Sequence, residues 1–214
     1  MAEISAALVK QLRDKTGAGM MECKKALSQT NGDLAAAEVS LRKSGIASAS
    51  KKATRETRQG VIGTYIHQGS QLGVLVEINC ESDFVARTDD FQNLVKDIAM
   101  QIAAADPQFI RKEDVPLELL EKEREIARDR ARQEGKPEKI LDKIVEGRLT
   151  KYYEEVCLLE QPFIRENTLS IGQLVASVIG KLGENISVAR FVRMKVGDSM
   201  PVAEVDNSQA IPTG

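Results

Sequence analysis

The sequence predicts an α+β protein, in which three short N-terminal helices precede a core with a small antiparallel sheet, packing helices and a projecting helical hairpin. Apolar residues recur at helical spacing through most of the 214 residues. Alternation of apolar and polar residues is confined to a stretch before residue 80 and another after residue 186. A few strands among many helices place the chain in the α+β class.

An apolar stripe, a glycine-rich break and an Asn-Gly turn divide residues 1–45 into three predicted helices. The second helix is expected to begin at Met20, directly after the glycine-rich break at residues 16–19. Asp33 is a suitable N-cap for the third helix, and Gly45 is expected to end it. Because such a short segment is close to the lower limit for independent folding, we expect a small satellite domain.

A linker is predicted for residues 46–59, where apolar periodicity is lost and most residues are small or basic. Its basic run consists of Lys51, Lys52, Arg55 and Arg58. Without interleaved aromatic residues this run is a weak candidate for RNA binding. We expect a solvated linker or a rim that steers an acidic partner.

The core is predicted to cover residues 60–198. A hairpin occupies residues 60–80, and a last strand begins at residue 186 and pairs with it in a sheet of about three strands. In that last strand Val192 and Met194 continue one alternating apolar set from its start.

Proline and glycine delimit the remaining helices of the core. Two charged helices are predicted to begin at Pro116 and Pro137 and to pack as an antiparallel hairpin over residues 116–156. Residues 170–173 fit a capping box for the last helix, which Gly183 is expected to end.

Composition excludes several classes of protein. The formal net charge of −2 exerts no general attraction on nucleic acid or an anionic membrane. No apolar run approaches the roughly 18 residues that span a bilayer, and residues 1–9 lack the pattern of a signal peptide. We therefore expect a cytoplasmic protein without membrane association.

The tail at 199–214 has little apolar content and is expected to be loose. A disulfide framework is not expected, because the cysteines are odd in number and far apart: Cys23, Cys80 and Cys157.

The usual signals of an enzyme are missing. His67 is the only histidine, and the cysteines have no CxxC spacing, so we expect no catalytic residues, no metal site and no cofactor. After the predicted hairpin, apolar residues at helical spacing from Phe91 to Ile102 predict a helix. An acidic cluster before this helix and at its start offers an alternative to a protein without catalytic chemistry, since it could bind Mg²⁺ or act in acid–base chemistry: Glu77, Glu81, Asp83, Asp89 and Asp90. Asp89 and Asp90 are explained as acids in a first helical turn, which leaves Asp83 without a structural reason.

Asp83 and Phe84 form the most distinctive pair, at the end of the predicted second strand. The chain has five phenylalanines and no tryptophan, so an aromatic side chain at the end of an element indicates a contact. The alternative is that Phe84 covers the core and Asp83 starts a turn. Met20 and Met21 are similar in kind: as neighbours on a helix they point about 100° apart, so one is expected to face outward.

Two long motifs resemble those of the bacterial elongation factor Ts family. Residues 12–27 read LRDKTGAGMMECKKAL and resemble its N-terminal signature, and residues 77–86 read EINCESDFVA and resemble its second signature. The segments Gly135-Lys136-Pro137 and Gln161-Pro162-Phe163 are also similar. The motifs stand in the family's order, and the resemblance covers nearly the whole chain.

The resemblance implies a guanine-nucleotide exchange factor for elongation factor Tu, which binds Tu both with GDP and without nucleotide. It implies a ubiquitin-associated-like N-terminal domain whose contact with Tu includes or borders Leu12, Arg13, Met20 and Met21. It also implies that Asp83 and Phe84, called here the Asp-Phe wedge, enter Tu near its Mg²⁺, with Ser82 and Val85 shaping the loop. No direct binding of nucleic acid is expected.

Two departures from the family pattern carry consequences. Ser82 stands where the family usually has threonine, which keeps the hydroxyl. The chain also resembles the short members with a single core unit, because residues 63–69 look like the start of a second core repeat yet lead into the motif of the first. A single core unit predicts a homodimer that pairs two cores and binds two Tu molecules.

Two other functions compete with nucleotide exchange. The basic run at residues 51–58 allows an RNA- or ribosome-associated binding protein, which steep salt dependence of RNA binding would support. The acidic cluster around Asp83 allows a metal-dependent enzyme, although the single histidine and the absence of a ligand motif weigh against it.

Overall fold

A computed structural model describes residues 4–198 of the chain, and within them the predicted α+β class is confirmed. The predicted tail at residues 199–214 lies outside the described residues. The helices are α1 (Ala6–Thr16), α2 (Met20–Gln29), α3 (Leu34–Lys52), α4 (Asp83–Ala86), α5 (Asp89–Ala105), α6 (Leu117–Gln133), α7 (Glu138–Val156) and α8 (Ile171–Leu182). The strands are β1 (Gln59–Ile66), β2 (Leu72–Cys80), β3 (Pro162–Phe163), β4 (Glu166–Ser170) and β5 (Ile186–Lys195). Among those residues, no helix is both long and apolar enough to cross a bilayer.

The three predicted N-terminal helices are present, and polar caps start two of them. Ser5 accepts a hydrogen bond from the Leu8 amide at the start of α1, and Asp33 accepts one from the Ala36 amide at the start of α3. Gly17 ends α1 in the left-handed conformation, at φ 67°. The helices enclose a small cluster of buried side chains formed by Val9, Leu12, Cys23, Ala26, Leu27 and Ala37.

The predicted end of the third helix at Gly45 is wrong, because α3 continues to Lys52 through the first half of the predicted linker. Gly45 lies where α3 crosses α8, and a Cβ atom at Gly180 would lie 3.2 Å from the Gly45 Cα. The glycine therefore allows two backbones to approach closely rather than ending the helix.

The predicted hairpin and last strand form one antiparallel sheet in the order β1-β2-β5. On its inner face, buried residues of β2 and β5 join α5 and α8 in the main core. The prediction of one continuous apolar set along β5 is wrong, because the register shifts opposite Glu77 and Ile78, where Ala189 is the extra residue. The bulge turns Val192 and Met194 to the opposite face, where they are 55% and 59% exposed.

The predicted helical hairpin is formed by α6 and α7. Two ion pairs join the helices near the connecting turn, Arg128–Asp142 at 2.9 Å and Arg132–Glu138 at 3.1 Å. Sequence patterns missed the short helix α4 and the small β3–β4 hairpin, because neither is long enough to display a period. The capping box at residues 170–173 and the end of α8 at Gly183 are confirmed.

Candidate functional site

A short helix presents Phe84 to solvent at the end of β2. Ser82 is the N-cap of α4, and its hydroxyl accepts a hydrogen bond from the Val85 amide at 3.3 Å. Val85 and Ala86 are buried in the main core, whereas Phe84 is 76% exposed. The alternative in which Phe84 covers the core is therefore wrong, and the buried neighbours anchor the helix that carries it.

The residue after the cap, Asp83, is exposed beside Phe84. Its carboxylate lies 2.8 Å from the Arg87 guanidinium one helical turn later. This ion pair is the structural role that the sequence did not reveal for Asp83. Because both side chains are largely solvated, we expect the pair to contribute little to stability and to separate easily.

A second hydrogen-bonded cap joins α4 to the long helix that follows. The Thr88 hydroxyl donates to the Val85 carbonyl at 2.8 Å and accepts from the Phe91 amide at 3.3 Å, so one side chain ends α4 and starts α5. The side-chain amide of Gln92 donates to the Ala86 carbonyl at 2.7 Å. The backbone of α4 is thus held at its C-terminal end as well as at its cap.

Burial separates the residues of the N-terminal motif. Met20 and Met21 begin α2 and are 59% and 75% exposed, so both face outward. Arg13 is exposed on α1. Leu12 is completely buried in the N-terminal cluster. Leu12 therefore lies beneath the surface of the N-terminal helices, on which the methionines and Arg13 are accessible.

The C-terminal end of α8 lies beside the N-terminal motif and the start of α5. The Lys181 ammonium pairs with Asp90, in the first turn of α5, at 2.6 Å. The same side chain lies against Gly17, where an added Cβ atom would be 2.6 Å from the Lys181 Nζ. A cleft of about 720 Å³ opens between α2, α3 and α8 on this side of the molecule.

The predicted acidic cluster is distributed over separate polar contacts. Four of its members have cationic partners, in the pairs Glu77–Arg190, Glu81–Arg55, Asp83–Arg87 and Asp90–Lys181. The hydrogen bond from Arg190 lowers the pKa of the Glu77 carboxyl. Across residues 4–198, no group of three or more histidine, cysteine or acidic side chains is arranged to hold a metal ion.

The three cysteines are buried and unbonded to one another. Burial raises the pKa of the Cys80 thiol, which donates a hydrogen bond to the Ser82 carbonyl at 3.1 Å. Burial also raises the pKa of the Cys157 thiol to about 11. Since the thiolate is the reactive form, these two cysteines are packing residues at neutral pH.

Comparison with known proteins identifies the family. Residues 46–198 match the family model described as elongation factor TS. Elongation factor Ts of Solibacter usitatus is 72% identical over 199 residues, which cover 93% of this chain and 94% of that protein. The chain belongs to the elongation factor Ts family. Elongation factor Ts of Koribacter versatilis is 65% identical, over 91% of this chain and 89% of that protein. Elongation factor Ts of Heliobacterium modesticaldum is 55% identical, over 95% of this chain and 94% of that protein.

Membership of the elongation factor Ts family places the chain among the translation elongation factors. Sequence reasoning nevertheless missed Glu184, which contacts Ser82 with both carboxylate oxygens, and Lys181. The available signal was a polar Gly-Glu-Asn turn between the last helix and the last strand. In the sequence that turn indicates only the end of the helix.

Proposed function

We propose that the chain is a guanine-nucleotide exchange factor that binds elongation factor Tu and accelerates the release of GDP. The observation that carries this proposal is the exposure of Phe84, at 76%, on a helix whose neighbouring residues are buried. An aromatic side chain held out in this way is a ready anchor for a slot in a partner. The chain acts in this proposal by binding, without covalent chemistry.

Asp83 supplies the electrostatic part of the proposed action. A carboxylate brought near the Mg²⁺ of Tu competes for the cation and for its water ligands, which weakens the neutralisation of the nucleotide phosphates. The ion pair with Arg87 is solvated, so Asp83 can leave it at small cost when the partner approaches. The Asp-Phe wedge thus combines a hydrophobic anchor with a mobile negative charge.

The N-terminal helices provide the second proposed contact. Two exposed methionines at the start of α2 offer adaptable apolar surface, and Arg13 offers a cation beside them. Because this second contact lies away from the nucleotide site, it allows the protein to bind Tu both with GDP and without nucleotide. By linkage, the factor by which this protein weakens GDP binding equals the factor by which GDP weakens the binding of this protein.

The decisive experiment follows the release of fluorescent GDP from a bacterial elongation factor Tu. We expect wild type to accelerate release, and Phe84→Ala to lower the acceleration by about tenfold or more, which is the scale of an interface anchor. Asp83→Ala should lower it less. Leu117→Ala is the matched control, because Leu117 is an equally apolar residue that is 63% exposed on α6.

Each outcome has a distinct meaning. Acceleration by wild type that Phe84→Ala retains would support exchange but reject the Asp-Phe wedge. No acceleration by wild type would reject the proposed function. RNA binding would then be the next test, although two of the four basic residues at 51–58 are already paired with acids, as Arg55–Glu81 and Arg58–Glu56.

We also propose that the chain forms a homodimer through the sheet. The outer face of the sheet carries Ile62, Ile66 and Leu75, and the bulge in β5 adds Val192 and Met194 to it; each of these residues is between 49% and 66% exposed. These residues are neighbours by strand register, because Leu75 lies opposite both Thr64 and Val192, and Gly73 lies opposite both Ile66 and Met194. An apolar face of this kind favours burial against an identical face.

Charge is consistent with self-association of this face. Glu77 and Arg190 lie together at one end of it, 2.7 Å apart, so the face carries both signs and no excess of either. Two copies related by a two-fold axis can therefore meet without like-charge repulsion. Pairing two cores in this way leaves both Asp-Phe wedges available, since they lie beyond the end of β2.

A cytoplasmic location accompanies the proposed role in translation.

A further inference from the structure

The turn between α8 and β5 contacts the cap of the helix that carries the Asp-Phe wedge. Glu184, in that turn, accepts two hydrogen bonds from Ser82: from the amide nitrogen at 3.0 Å and from the hydroxyl at 2.6 Å. The two residues are 102 positions apart in the sequence. Bonds to a carboxylate are stronger than those between neutral groups, so this contact fixes Ser82 firmly.

The orientation of the Ser82 hydroxyl is what allows it to cap α4. By donating its proton to Glu184, the hydroxyl keeps a lone pair directed at the Val85 amide, from which it accepts at 3.3 Å. Glu184 thereby sets both the backbone and the side chain of the capping residue. The direction in which α4 leaves the sheet, and with it the position of Phe84, depends on this cap.

The next residue, Asn185, holds the other side of the same strand end. Its backbone amide donates to the Glu81 carboxylate at 2.6 Å, and its side-chain amide donates to the Arg55 carbonyl at 2.8 Å. Asn185 is itself buried. Two consecutive residues of the turn thus form hydrogen bonds with Glu81 and Ser82, the two residues that follow β2, which restricts the movement of the cap.

We propose that Glu184 is a positioning residue for nucleotide exchange: it holds Ser82 so that α4 presents Asp83 and Phe84 to the partner in a preformed arrangement. Glu184 acts through Ser82 and contributes no contact of its own to the partner. The inference rests on the proposed exchange function. Its physical basis is that an anchor fixed before binding loses less conformational freedom on binding.

The test compares Glu184→Ala and Glu184→Gln with Glu146→Ala, a control that removes an exposed acid from α7. Release of fluorescent GDP from elongation factor Tu is measured over a range of concentrations of this protein. We expect Glu184→Ala to lower the maximal rate about five- to tenfold and to change the half-maximal concentration less than twofold, because the methionine contact is intact. Glu184→Gln retains one acceptor and should lie between Glu184→Ala and wild type.

A double variant separates positioning from a general loss of stability. If Glu184 acts through Ser82, adding Ser82→Ala to Glu184→Ala should lower the maximal rate by less than twofold beyond the worse single variant. Independent, multiplying effects would overturn the inference. So would a Glu184→Ala variant whose maximal rate is restored by working well below its unfolding temperature, since its defect would then be stability alone.

A partner-free measurement keeps the inference testable if the exchange function fails. The chain has no tryptophan, so Phe84→Trp introduces a single tryptophan on α4, whose fluorescence can be excited apart from that of the tyrosines. We expect the anisotropy of this reporter to fall when Glu184→Ala is added and to stay constant when Glu146→Ala is added. Absence of GDP release by wild type would reject the exchange function alone, whereas unchanged anisotropy and an unchanged maximal rate would reject the role of Glu184.

Discussion

Two residues of one motif, Met21 and Leu12, illustrate how burial separates binding from stability. Met21 is 75% exposed, so Met21→Ala should leave the free energy of unfolding within about 0.5 kcal/mol of wild type and weaken binding to Tu by about 1 kcal/mol or more. Leu12 is fully buried, so Leu12→Ala should lower the free energy of unfolding by about 2–5 kcal/mol. Urea unfolding and titration of Tu measure the two quantities.

The same unfolding and binding measurements would also show if these roles of Met21 and Leu12 were wrong. A Met21→Ala variant that unfolds as easily as Leu12→Ala would mean that the methionine is a packing residue. If Met21→Ala and Met20→Ala both bind Tu as tightly as wild type, the start of α2 is not part of the contact.

Among single residues, the sequence alone predicted those whose role depends only on the local pattern around them. Phe84 stood out because aromatic residues are scarce, and its exposure needed no distant partner. Glu184 could not be found, because its two bonds to Ser82 cross 102 positions that only the folded chain brings together. Leu12 was assigned by its place in a motif, and a motif does not record which side of a helix each residue occupies.

Among the elements, α3 and α8 cross at a pair of glycines. A Cβ atom at Gly180 would lie 3.2 Å from the Gly45 Cα, so the larger Gly180→Val side chain must push the helices apart. We expect this substitution to lower the free energy of unfolding by about 1–3 kcal/mol. Urea unfolding followed by circular dichroism provides the measurement.

A helical glycine in open space provides the control for this crossing. Gly147, in α7, has no neighbouring atom within 4 Å of an added Cβ, so Gly147→Ala should raise the free energy of unfolding by about 0.5–1 kcal/mol. If Gly180→Val were as well tolerated as Gly147→Ala, the close approach of α3 and α8 would not be required for stability.

Element boundaries followed from the sequence where a local signal sets them, and failed where tertiary contact decides. Helix α8 begins at the capping box of Ser170 and Gln173 and ends at Gly183, as expected, because caps act within one helical turn. Gly45 resembled a helix end but serves a helix crossing. The bulge at Ala189 lies where Arg190 and Phe191 interrupt the alternation of β5, but an interruption alone does not predict a bulge, because bulges arise from pairing with β2.

Over the whole molecule, the C-terminal end of α8 connects the two proposed contact surfaces. Lys181 lies against Gly17, next to the start of α2, and pairs with Asp90 at the start of α5. Three residues later Glu184 holds Ser82. One helix end is therefore in contact with both regions that are proposed to bind Tu, which favours a fixed spacing between the two contacts.

The assembly state is the last property that belongs to the whole molecule. Because the outer sheet face is apolar and lies opposite the main core, we expect wild type to sediment as a dimer at micromolar concentration. Val192 lies on that face opposite Leu75 of the central strand, so Val192→Lys should place two buried charges in the interface and yield monomers. Ile164→Lys, at a 45% exposed site outside the face, should leave the dimer intact. A wild type that sediments only as a monomer at that concentration would reject the homodimer, and the exposed face would then need another partner.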